Sequence, residues 1–392
     1  MSNPNSWQPP AGDQQPPAPP RYGEYAPPSA FPPPPGPQQG WTAPPKPGLI
    51  PLRPLPFGTI LGSSFQVMRR NPKPTFGISL VLNAIIYLLT FLVIGAFVAF
   101  AIGRVFSATE ADQEAIIAGS LLGGGLALLI PIAASVVLTA ILQGVISLEV
   151  SRATVGEKLT TRQLLRLARG RIGALIGWAF ALAGVALVAL ILATVVVTLL
   201  IALGGTAGLV IGILLAIGFV LVFIAAYAWI GTKVSLVPSA LLIERATLRG
   251  AIARSWTLTN QSFWKTLGIE WLVALMVSTA AQVVTFPISL IFSLLAAVLA
   301  PTGDETVAVV VQVIGTIITG LVGVVIGAIG VVMQSAAASL IYIDLRMRKE
   351  GLDLDLMRFV EARQAGDSSV ADPFLTVPAP AAPAAPPGSP WG

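Results

Sequence analysis

The sequence predicts an all-α, polytopic membrane protein: six transmembrane helices as three hairpins, each preceded by an amphipathic interfacial helix. Three observations predict it. Of the 392 residues, 55% are hydrophobic and only 10% are charged, with a mean hydropathy of +0.81. A soluble domain needs about 25% charged residues to solvate its surface. The apolar residues gather in six stretches, each longer than the 18–20 residues that cross a hydrocarbon core of about 30 Å. The third observation is a unit that recurs roughly every 95 residues.

The first element, residues 1–49, is a Pro-rich tail. Residues 1–56 hold 20 of the 33 Pro, and residues 373–390 hold another 7. Such composition cannot bury a core and is expected to be disordered, sampling polyproline II or coil. It does not read as a signal peptide, because no basic n-region precedes an apolar h-region. The Ala/Pro-rich segment 361–392 is expected to behave like it, which leaves 50–360 as the membrane domain.

The six spans run over about 76–103, 116–148, 172–203, 207–243, 266–299 and 307–343. A seventh crossing within 307–343 would flip one terminus, and six is the better count. Pro131, Pro238 and Pro287 fall inside these stretches as kink points.

Orientation follows from the charges. Arg53, Arg69, Arg70 and Lys73 precede the first span, and Arg152, Lys158, Arg162, Arg166, Arg169 and Arg171 fill the loop between the second and third. Lys233, Arg245, Arg249, Arg254 and Lys265 bracket the loop between the fourth and fifth, and Arg346, Arg348 and Lys349 follow the sixth. The other side carries one cation, Arg104, among Glu110, Asp112, Glu114, Asp304 and Glu305. By the positive-inside rule both termini are expected in the cytoplasm, and the chain is expected in a bacterial plasma membrane as a multi-pass protein.

The three cytoplasmic returns share a pattern: a short amphipathic segment, a break, then two spans. In the second, Leu164, Leu165, Ala168 and Ile172 oppose Arg162, Arg166 and Arg169; in the third, Leu248, Ile252 and Trp256 are spaced by four, as are Arg245 and Arg249. Spacings of three and four place residues on one helical face. The exits match too, since Glu149, Glu244 and Asp344 follow one another at 95 and 100 residues. Gly156 and Gly351 lie seven residues after Glu149 and Asp344. Three hairpins about an axis normal to the membrane is the arrangement this period suggests.

Side-chain inventory limits the chemistry. The chain has no His and no Cys, which removes the commonest general base, the commonest metal ligand and any thiolate site. No P-loop, dinucleotide fingerprint or Ser-His dyad occurs. No catalytic, cofactor-binding or metal residue is therefore assigned, and no cofactor is expected. The net charge of +5 is accounted for by the basic loops and gives no reason to expect nucleic-acid binding. GxxxG pairs, such as Gly208/Gly212, are a weak sign of helix association in a chain this rich in Gly.

Two groups remain as candidate sites. Glu270 is the carboxylate well inside an apolar stretch, and Lys233 lies at comparable depth in the fourth span. An intramembrane charge costs about 3 kcal/mol on insertion scales, so they form a candidate intramembrane pair, either a relay or a structural ion pair. Arg162, Arg166, Arg169, Arg245 and Arg249 are candidates to face anionic phospholipid headgroups, each adding about 1 kcal/mol near the surface; the plainer reading makes these helices anchors, with Trp178, Trp256, Trp264 and Trp271 as interfacial aromatics. A non-catalytic scaffold or lipid-associated component, with the bilayer and possible membrane-protein partners around it, is the leading expectation. A transporter or exporter subunit using Glu270 and Lys233 is the alternative.

Three stretches carry a resemblance: GLIPLRPLPFGTILGSSFQVMRRNPKPTFGIS (48–79), ERATLRGAIARSWTLTNQSFWKTLGI (244–269) and LIYIDLRMRKEGLDLDL (340–356). Together they resemble the glycerophosphoryl diester phosphodiesterase membrane-domain family of bacterial multi-pass proteins. In the proteins that named the family, such a domain precedes a catalytic barrel that relies on His and metal-binding carboxylates. With no His here, the resemblance implies the membrane half alone and transfers no site residues.

Overall fold

The computed structural model describes residues 48–106, 112–299, 305–367 and 369–375. The expected disordered tails therefore lie mostly outside the described residues. The fold is all-α, and six of its helices are long and apolar enough to cross a membrane. The chain is an integral, multi-pass membrane protein.

Each sequence repeat becomes the same succession. Helix α1 (Phe57–Arg70) leads through a π-turn (Lys73–Gly77) into α2 (Ile78–Phe106) and α3 (Gln113–Thr154). Helix α4 (Thr161–Ala168) precedes α5 (Ile172–Leu203) and α6 (Gly205–Val234), which is followed by the short α7 (Val237–Ile243). Helix α8 (Leu248–Thr259) precedes α9 (Phe263–Leu299) and α10 (Glu305–Glu350), and α11 (Leu352–Gln364) closes the series. The starts of α4 and α8 are chemically specified. Thr160 and Gln163 form a reciprocal capping box, and the Thr247 hydroxyl accepts from the Gly250 amide. Of the three expected kink points, Pro238 opens α7 after the α6–α7 break, while Pro131 and Pro287 lie inside unbroken helices.

The three hairpins pack in cyclic order. α3 packs on α5, α6 touches α9 more lightly, and α10 returns to pack on both α2 and α3. The α5–α6 turn requires glycine. Gly205 has φ +55°, and a Cβ on Gly208 would stand 2.1 Å from the Leu200 carbonyl oxygen. The Gly208/Gly212 pair thus serves close approach inside one hairpin. Gly156 and Gly351, marked by their equal offsets from Glu149 and Asp344, both have positive φ (90° and 69°) and end α3 and α10 with a turn that L side chains rarely adopt.

The core is not centred in the bundle. Its buried residues crowd the end where α1, α4, α8 and α11 gather: Leu142 to Ala153 on α3, Leu236 to Ile243 around α7, and Val332 to Met347 on α10. α10 is 46 residues long, about 69 Å at 1.5 Å per residue, so it outruns a hydrocarbon core of about 30 Å. Away from this basic end the spans expose most of their large apolar side chains, as lipid-facing helices do. Ser147, Ser239 and Ser339 join the three hairpins at its centre, with oxygen separations of 2.9 Å and 3.3 Å through Ser339.

Both chain ends of this unit are strapped to α3. Leu49, Ile50, Leu52 and Leu55 are buried, and the Leu49 amide donates to the Ala153 carbonyl at 2.8 Å. Beyond α11 the chain turns back, Asp372 pairs with Arg152, and Phe374 is buried while its carbonyl accepts from Arg346. Among the described residues, contacts with the bundle continue to Phe374. A single aromatic in the short stretch 372–377 carries too little pattern to reveal this in a sequence.

Candidate functional site

Three buried carboxylates organise the basic end, and they are the ones picked out by the repeat. The Glu149 carboxylate accepts from the Asn71 amide at 3.0 Å, just after α1. The Glu244 carboxylate accepts from Arg254 Nε at 2.7–2.9 Å, from Arg254 Nη2, and from the Tyr342 hydroxyl, with Arg346 3.1 Å away. Asp344 accepts from the Leu55 backbone N–H at 2.6 Å, from Lys265 Nζ at 2.6 Å and from Arg348 Nε at 3.0 Å. Each carboxylate ends one repeat and ties a segment that enters a hairpin. Breaking a buried pair by removing one partner typically costs about 3–5 kcal/mol.

Two cations at this end are perturbed in opposite senses. Burial works to lower the Arg254 pKa, but its hydrogen bonds to Glu244 and Glu350 outweigh that and raise it. Burial lowers Arg70, with the Glu149 charge offsetting part of the effect. Arg70 compensates through backbone carbonyls, donating to Ala153 and to Glu157.

Arg162, Arg166, Arg169, Arg245 and Arg249 differ from these. All five are exposed, and none forms an ion pair among the described residues. Arg162, Arg166 and Arg169 project from α4 and its C-terminus opposite buried Leu164 and Ala168. Arg249 rims a shallow groove with Ile252, Ala253 and Trp256.

Glu270 and Lys233 are not brought together. Lys233 stands one residue before the end of α6, and its side chain leaves toward α8, donating to Asn260 Oδ1 at 2.6 Å with its ammonium 5.3 Å from the Trp256 ring centre. Glu270, seven residues into α9, turns instead into a cavity of about 910 Å³. The cavity lies toward the basic end, where the lightly packed α6–α9 contact leaves room among α3, α5, α6, α7, α9 and α10. Ser235 reaches the Glu270 carboxyl, but Oε1 is shielded from solvent and has no hydrogen-bond partner. Gln143 and Gln334 also line the cavity. Two of the expected interfacial aromatics, Trp178 and Trp271, line it too, Trp271 with half of its surface still exposed, whereas Trp264 lies outside the cavity and is exposed.

Asn71, Asn260 and Tyr342 were not singled out by the sequence. Their roles depend on partners 78, 27 and 98 residues away, and only a period-aligned comparison with the carboxylates could have signalled Tyr342. Among the described residues no cluster of three metal-ligating side chains occurs. No family model, no curated protein and no solved structure matches this chain.

Proposed function

We propose that this chain is a non-catalytic membrane scaffold or lipid-associated component of a bacterial plasma membrane, with both termini cytoplasmic and its basic end on anionic phospholipid headgroups. One observation carries the reading: two groups of cations at this end contrast. Arg152, Arg254, Lys265, Arg346 and Arg348 are engaged by internal carboxylates, whereas Arg162, Arg166, Arg169, Arg245 and Arg249 face outward without an ion pair. Internal pairing accounts for the first set but leaves the second without a structural task. Five such residues would supply about 5 kcal/mol of headgroup attraction at low salt, reduced as salt screens it. The resemblance to the phosphodiesterase membrane-domain family belongs to the same proposal. The three stretches that carry it, 48–79, 244–269 and 340–356, contribute Leu55, Glu244, Arg254, Lys265 and Asp344 to the basic end.

The test is lipid enrichment. Protein purified from mixed phosphatidylcholine–phosphatidylglycerol vesicles should retain excess phosphatidylglycerol by native mass spectrometry. Changing the five arginines to Gln should bring the retained ratio back to that of the vesicles. Equal enrichment in wild type and variant overturns the reading.

A second reading, a transport component, draws on the cavity that reaches Glu270. It loses Lys233 as a wall residue, so Glu270 alone would supply charge to the path. Proton flux into proteoliposomes above the lipid leak, removed by Glu270→Gln, would support it; identical leak in both overturns it.

A further inference from the structure

We propose that the Glu270 cavity is a binding site for an amphipathic ammonium: a cationic amine carried on an apolar body. This goes beyond the headgroup reading and uses none of its residues. The argument begins with the wall. Toward a chain of Leu, Ala and Val it presents the Glu270 carboxyl and the amides of Gln143 and Gln334. Glu270 is partly exposed and lines the cavity; its Oε1 is shielded and has no partner, so a donor meets it when the carboxyl turns toward the cavity. Among the described residues neither glutamine amide makes a side-chain hydrogen bond. Several other polar wall groups are already satisfied within their own helices: Ser135 donates to Ile132, Thr232 to Ala228 and Ser278 to Leu275, all at backbone carbonyls, while Ser235 lies within reach of both the Thr232 carbonyl and the Glu270 carboxyl. The unsatisfied polar groups of the wall thus include the carboxyl, the two amides and the hydroxyls of Thr139 and Ser335, of which the carboxyl alone carries charge. In hydrocarbon an unpaired polar group costs several kcal/mol, so a donor brought to this place is strongly favoured.

The charge of the wall selects the ligand's sign. No Lys or Arg lines the cavity, and Lys233, the nearest candidate by depth, is held by Asn260. An anionic headgroup or a phosphate would meet Glu270 with no counter-charge. An ammonium finds an acceptor in the carboxylate and aromatic faces in Trp178, Tyr227 and Trp271, which also attract cations. Leu175, Leu182, Leu275 and Val331 supply the apolar remainder. A volume of about 910 Å³ falls within the range of roughly 300–1,000 Å³ of small-molecule sites, room for an amine with a ring system or a medium alkyl chain.

The experiment uses the full chain in phosphatidylcholine nanodiscs and rhodamine 6G, a fluorescent lipophilic cation bearing N–H donors. Fluorescence polarisation should show saturable binding, displaced by octylammonium and not by octyl phosphate. Glu270→Gln should weaken binding tenfold or more, and Glu270→Asp should retain part of the affinity. Ala274→Phe, which fills the cavity while leaving the carboxyl in place, should also abolish binding. Arg166→Gln, outside the cavity, should leave it unchanged while lowering phosphatidylglycerol retention, so the two proposals fail separately. Unchanged affinity in both Glu270→Gln and Ala274→Phe, equal displacement by octyl phosphate, or no saturable binding by wild type overturns the site. If Glu270→Gln does not fold, the Ala274→Phe result decides.

Discussion

Replacing Asp344 should show how firmly the basic end is tied. The side chain is fully buried, and it holds three segments: the strap before α1 through the Leu55 N–H, the start of α9 through Lys265, and its own helix through Arg348. In Asp344→Ala, Lys265 and Arg348, whose side chains are 32% and 43% exposed, can turn to water and recover much of their solvation. The Leu55 amide cannot, because Leu55 is fully buried; leaving such a donor unpaired costs about 1–3 kcal/mol. Adding the lost charge-assisted bonds, discounted for the partial exposure of both cations, places the total near 4 kcal/mol. Asp344→Asn keeps an acceptor for Leu55 and should lose only about 2 kcal/mol. Reversible unfolding in mixed micelles with rising dodecyl sulfate fraction measures both. Equal losses for Ala and Asn, or losses below about 1 kcal/mol for both, would refute the reasoning that the buried amide and its charge-assisted partners dominate.

Other outcomes follow from the same contacts. Glu244→Gln and Arg254→Gln should each destabilise by about 2–3 kcal/mol, and the double change by clearly less than their sum, because the two share one bidentate pair; additive losses in the same unfolding assay would contradict a direct coupling. Gly208→Ala should cost about 1–3 kcal/mol by forcing α5 and α6 apart, read as a lowered Tm; an unchanged Tm would argue against the close approach. Phe374→Ala should cost about 3 kcal/mol and speed proteolysis after residue 365, and wild-type cleavage kinetics would show that the returning segment does not hold the bundle. The combined Arg162→Gln, Arg166→Gln and Arg169→Gln variant should shift stability by no more than about 0.5 kcal/mol, so any loss of phosphatidylglycerol retention reports headgroup contact and not unfolding.

The sequence by itself determined which segments cross the bilayer and which helices lie beside them. Hydrophobicity over about 20 residues and amphipathic spacing are local properties, and a lipid environment demands helix from any crossing segment. It also marked Glu149, Glu244 and Asp344, because a repeat places equivalent residues at equal intervals. What each carboxylate holds was not legible. Leu55 reaches Asp344 across 289 positions, and no local pattern encodes such a contact. Lys233 and Glu270 have similar depth in sequence, yet depth does not specify azimuth: one turns to Asn260 and the other into the cavity. Only the tertiary structure decided that the core gathers at the basic end, that Phe374 returns to it, and that a mostly apolar cavity with Glu270 in its wall opens beside α6. Lipid solvates the remaining apolar faces as well as another helix would, so hydrophobicity cannot say which faces meet; packing, hydrogen bonds and paired charges do.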